Sequence, residues 1–144
     1  MDTDVFPQRI AWLGVHPLGR AVAALRPGTA FVDVRPGRAL GWEDVTAAAG
    51  FAPDLLVYAD QSLPPPLPGV AEFPCRTLFY CVDSHIHGWY PAYAAAFDLC
   101  AVSLKDHLPH FERLMGPERV LWLPPMPRPE DAPLPGVPEW DLLF

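Results

Sequence analysis

Positive charge is scarce in this chain. Its 144 residues carry 10 Lys and Arg against 17 Asp and Glu, a formal net charge of -7, and no basic cluster interrupts the excess. A nucleic-acid partner is disfavoured, because binding to a phosphate backbone draws its affinity from basic patches. Cysteine is also rare: Cys75, Cys81 and Cys100 form an odd set without Cys-x-x-Cys spacing. Two of them sit in apolar runs, where a cysteine behaves as a small buried hydrophobe. The simplest expectation is a reduced, cytoplasmic protein. No apolar run approaches the ~20 residues a membrane span needs, so no span is expected. The segment from Met1 to Gln8 holds Asp2 and Asp4 and lacks the basic region of a secretory signal. Neither a Gly-x-Gly-x-x-Gly after the first apolar run nor a Walker-type glycine-lysine loop is present. A dinucleotide or nucleoside triphosphate site is therefore not expected, and no cofactor is assigned to this domain.

Apolar residues and proline are plentiful. At 51% apolar, the chain can build one substantial core, since a domain of this size removes roughly 68–70% of its unfolded surface from water. Short apolar runs alternate with helical patterns. The runs are Arg9 to Val15, Thr29 to Val34, Asp54 to Asp60, Arg76 to Val82, Asp98 to Val102 and Val120 to Leu123. Near-continuous apolar runs of this length suit parallel strands covered on both faces. Between them, Leu18, Val22 and Leu25 recur at helical spacing after Pro17. Trp42 to Ala49 is a short helix stopped by Gly50, and Pro91 to Phe97 is a helix of small residues. Around Pro109 we expect a turn over Leu104 to Leu108, with the helix proper from Pro109 to Met115. Gln61 to Pro74 holds five prolines and is expected to be an ordered or semi-extended loop.

The predicted fold is an α/β, Rossmann-like three-layer sandwich around a mainly parallel sheet of about six strands. It should occupy residues 1–123. Residues 124–144 read as a linker, with seven prolines between Pro124 and Pro138, followed at Trp140 to Phe144 by what looks like the start of a further strand. A return of this tail as an edge strand is the alternative.

In an open parallel sheet, ligands bind beyond the carboxyl ends of the strands. His16, Arg35, Asp60, Asp83 and Ser103 each follow a predicted strand, so one rim should carry them all. The richest stretch is Phe79 to Trp89, where Asp83-Ser84-His85-Ile86-His87 follows a strand and leads to Trp89. Asp83 and His85 are the candidates for proton transfer, and His16, Asp60, His87 and Trp89 for binding. Three other readings stand beside this one. Asp83 can cap the turn and His85 can bond to backbone. Trp89 and Tyr90 can be core aromatics rather than a stacking surface. Asp83, His85 and His87 can begin a metal site, although such a site needs three or four ligands and His107 and His110 fit an exposed surface role; no metal is assigned.

The segment from Phe79 to Pro124 resembles the N-terminal domain of CgeB-like (spore maturation protein type) glycosyltransferases. The residues that carry the likeness are Tyr80-x-x-Asp83-Ser84-His85-x-His87 with Trp89, Phe97-Asp98, Ser103-x-Lys105-Asp106 and Val120-x-Trp122-Leu123-Pro124. The first half of the chain matches only in its order of strands and helices. The resemblance implies a GT-B enzyme, with two Rossmann-like domains facing a cleft and the Asp83 to His87 turn on the cleft side. It implies that Asp141 to Phe144 opens a C-terminal domain that holds a nucleotide-sugar donor, and that the domain described here shapes the acceptor side. One of Asp83 and His85 would then act as general base on the acceptor hydroxyl and the other would orient it. The alternative of a different class is a flavodoxin-like binding or interaction module that keeps the fold without the reaction.

Overall fold

The computed structural model describes residues 6–14 and 17–126. Its six strands are β1 (Ile10–Leu13), β2 (Thr29–Val32), β3 (Leu55–Ala59), β4 (Arg76–Cys81), β5 (Leu99–Val102) and β6 (Val120–Trp122). They form one sheet in the order β2-β1-β3-β4-β5-β6, and every neighbouring pair is parallel. The helices are α1 (Pro17–Leu25), α2 (Trp42–Ala49), α3 (Tyr90–Ala94) and α4 (Leu108–Met115). The expected α/β sandwich with a parallel six-stranded sheet is thus the architecture found. Among the described residues, no helix is long and apolar enough to cross a membrane.

Alternation along the strands explains the layers, because successive side chains of a strand point to opposite faces. Ala11, Leu13, Leu56, Tyr58, Phe79, Cys81, Cys100 and Val102 face one way and pack with Val45 of α2, Ala94 of α3, and Phe111 and Met115 of α4. Ile10, Trp12, Val57, Ala59, Tyr80 and Ala101 face the other way, where Leu18 and Val22 of α1 cover them. Each fully buried large apolar side chain contributes roughly 1.5–3 kcal/mol to this core.

Helix α1 sits against the sheet through a glycine. A Cβ on Gly19 would fall 2.3 Å from Trp12 Cδ1, far inside van der Waals contact, so the bare backbone is what lets the helix approach the indole. Alanine is the better helix former by ~1 kcal/mol, yet Gly19→Ala is expected to destabilise the fold by about 1–2 kcal/mol through overpacking. A thermal melt checks this, and a raised melting temperature would contradict the packing argument.

The two rims of the sheet differ in kind. At the amino ends of the strands, polar bonds staple the structure together. Asp54 accepts from the Arg9 amide at 2.9 Å and from its guanidinium at 3.0 Å, and Asp98 accepts from the Thr77 amide at 2.7 Å and its hydroxyl at 3.0 Å. At the carboxyl ends the loops are longer and open into clefts. The proline-rich connection after β3 is a loop with one short 3₁₀ turn at Val70–Glu72, as its prolines require. Helix α4 begins one residue before Pro109, after a 3₁₀ turn at Lys105–His107. Proline is tolerated there because the first turn has no intrahelical acceptor for its missing N–H. Helix α3 ends at Ala94, short of Phe97, as the Phe97 amide turns back to the Ala94 carbonyl at 2.9 Å.

Burial also sets an alkaline limit on stability. It pushes the Cys75 thiol up from 9.0 to about 11 and the Cys100 thiol to about 12, and it raises Cys81, Tyr58, Tyr80, Tyr90 and Tyr93 above their ordinary values. The unfolded chain therefore releases these protons first. Stability is fully present below pH ~8.5 and falls as the pH rises through the thiol and then the tyrosine range. Melting temperatures in reducing buffer are expected to drop steadily between pH ~8.5 and ~10.5, and a flat profile there would contradict the assignment.

Candidate functional site

The carboxyl-end rim is organised around Asp60, the residue after β3. Its side chain is 7% exposed. Its Oδ1 accepts a 2.6 Å hydrogen bond from the Tyr90 hydroxyl and a 2.7 Å bond from the Ser62 amide, while the Asp83 amide lies 3.4 Å from Oδ2. One carboxylate thus ties the β3 loop, the β4 turn and the start of α3 together. The bond to the amide two residues on is an Asx turn. It holds Ser62 at φ 56, a left-handed conformation uncommon outside glycine. Burial, then the bond to Asp60, pushes the Tyr90 hydroxyl far above its ordinary 10.0, so it stays a donor. Tyr90 is fully buried, which places it in the core and not on a binding surface.

The turn after β4 is closed by the Ile86 amide on the Asp83 carbonyl at 3.0 Å and the Tyr90 amide on the His87 carbonyl at 3.2 Å. The buried Ser103 hydroxyl bonds to the Val82 carbonyl, bracing the ends of β4 and β5. From this platform His85 is exposed, whereas Asp83, His87 and Trp89 are half-buried. The His87 and Trp89 rings stack with centroids 5.2 Å apart and planes 18° from parallel. His87 Nε2 lies 3.4 Å from the Ser62 carbonyl, a long bond in which the ring N–H donates.

Two clefts meet at His87. One, of about 380 Å³, is walled by Trp89 and Tyr93 on one side and by Ser62, Pro64 and Pro65 on the other. Its lining is largely aromatic and aliphatic, with few polar groups to fix a ligand, as is usual for small-molecule sites. The second, of about 250 Å³, lies between the β4 turn and the start of α4 and is lined by His85, His87, His107 and His110 with Ser84. His107 and His110 stand edge to face with centroids 5.6 Å apart. The sequence suggested only an exposed surface role for these two. The signal that would have found them is their place after β5, beside the strand that carries His85 and His87.

The candidate residues divide accordingly. His85, His87 and Trp89 line the clefts. Asp83 lines neither, and Asp60 acts from beneath through Ser62 and Tyr90. His16 lies outside the described residues, as do Asp141 to Phe144. At the topological switch between β1 and β3, Gly14 has φ +123, and a Cβ there would sit 2.7 Å from the Ala59 carbonyl oxygen and 2.9 Å from Gln61 Nε2. The backbones are in close contact at that point, and the two clefts open farther along the rim. Among the described residues, no group of three or more His, Cys, Asp or Glu side chains is arranged to hold a metal ion. The chain matches no known family model, and neither a curated protein nor a solved structure is significantly similar to it.

Proposed function

We propose that this domain forms the acceptor side of a cytoplasmic, two-domain glycosyltransferase of the GT-B type. The observation that carries this reading is the stacked His87–Trp89 pair on the wall of a cleft beside His85. An aromatic face offers a flat apolar surface to the C–H face of a sugar-like ring, and the neighbouring imidazole offers a base to its hydroxyl. In this scheme His85 takes the acceptor proton as the hydroxyl attacks, His87 and Trp89 hold the ring, and Asp83 and Asp60 position the turn. The nucleotide-sugar donor belongs to a second domain, consistent with the absence of a glycine-rich phosphate loop in this sequence.

Titrating the domain with a panel of mono- and oligosaccharides tests the acceptor assignment. At least one is expected to bind saturably, and Trp89→Ala is expected to weaken it by roughly tenfold or more. Binding that survives Trp89→Ala unchanged would remove the basis of this reading.

A second reading has its own support. The run β2-β1-β3-β4-β5 is the flavodoxin-like strand order, and that fold serves binding modules as well as enzymes. Saccharide binding without transfer in the protein that carries both domains would favour the module.

A further inference from the structure

The histidine-lined cleft is unusual for so acidic a chain. With 17 acidic side chains against 10 basic ones, no Asp or Glu is among the residues that line it. Its titratable lining groups are four imidazoles: His85 and His87 from the turn after β4, His107 and His110 from the start of α4. The other charged side chains of these elements, Asp83, Lys105, Asp106, Glu112 and Arg113, are not on its wall, and the Lys105 ammonium lies 5.4 Å from the centre of the Trp122 ring. A second observation is independent of the histidines. Ser84, also on the wall, is 7% exposed, and its buried hydroxyl has no hydrogen-bond partner among the described residues. An unmade bond of this kind costs free energy that a ligand acceptor would recover.

We propose that this cleft binds a small oxyanion, a phosphate group either free or carried as a phosphomonoester, through imidazole N–H donors and the Ser84 hydroxyl. Every polar side chain lining it can donate a hydrogen bond, and none is a carboxylate that would repel an anion. Metal binding is the competing use of four histidines, but no group of three or more is arranged for it among the described residues. The proposal rests on this cleft alone and not on glycosyl transfer.

Inorganic sulfate is the first probe. Titrated into the 144-residue chain, it is expected to saturate one site. The double variant His107→Ala/His110→Ala and the single variant Ser84→Ala are each expected to weaken it by roughly tenfold, the order of a lost hydrogen bond to a charged group. Inorganic phosphate and a hexose 6-phosphate then separate the two sources. Tighter binding of the hexose phosphate identifies a phosphomonoester that also reaches the adjoining cleft through His87, and equal binding identifies free phosphate. Sulfate binding that is unsaturable or unchanged in both variants would overturn the proposal. So would one zinc ion retained per chain with sulfate excluded.

Discussion

Under the proposed acceptor-side role, His85→Ala in a protein that carries both domains is expected to lower kcat by roughly 10²–10⁴-fold, the usual contribution of a positioned general base, with donor affinity nearly unchanged. His85 is the exposed imidazole of the β4 turn and opens on the histidine-lined cleft. Asp83 precedes it but lines neither cleft, and its carbonyl is used to close the turn. Asp83→Asn keeps that backbone bond and is therefore expected to cost less than His85→Ala. Steady-state kinetics separate the roles. Removal of the base lowers kcat and spares the melting temperature. If both variants spare kcat and mainly lower the melting temperature, the turn is a structural device.

The second large effect falls on stability. Asp60→Ala strands the fully buried Tyr90 hydroxyl and frees the Ser62 amide. Two short hydrogen bonds to the carboxylate and the longer one from the Asp83 amide are lost, and the buried Tyr90 donor loses its acceptor, so the expected cost is on the order of 3–5 kcal/mol. At this chain length each kcal/mol moves the melting temperature by roughly 2–4 °C. Asp60→Asn keeps an acceptor oxygen and the shape, so it should recover part of the loss. Tyr90→Phe removes one bond and its donor together, so about 1–2 kcal/mol is expected. A double-mutant cycle between the two positions measures their coupling directly. An Asp60→Ala variant as stable as the parent would show that the carboxylate does not organise the rim.

These two residues show what a linear reading can and cannot see. The strands were visible because burial on both faces demands apolar runs. In five of the six the carboxyl end falls one or two residues inside the run, β5 alone ending with its run at Val102, since pairing stops where the chain turns to reach a helix. Gly14, at φ +123, marks one such exit from β1. Pro17, Gly50 and the prolines after Asp60 punctuated the helices and the loop through local backbone chemistry, which sequence carries faithfully. The His85–His87 turn was legible for the same reason, as it follows a strand directly. The Asp60–Tyr90 bond joins positions 30 residues apart, and no local pattern predicts it. His107 and His110 looked like surface residues because their partners across the cleft arrive from β4, and only the β4–β5 adjacency brings the two pairs together.

The claim that this rim receives the acceptor, while the donor is held elsewhere, is tested most directly by backbone amide NMR of the domain with saccharides and nucleotide sugars added in turn. The account predicts that a saccharide shifts the amides of Ser62, His85, His87, Trp89 and Tyr93, and that nucleotide sugars bind only weakly. Micromolar binding of a nucleotide sugar, with shifts centred on Gly14, Asp60 and Gln61 at the β1–β3 switch, would contradict it.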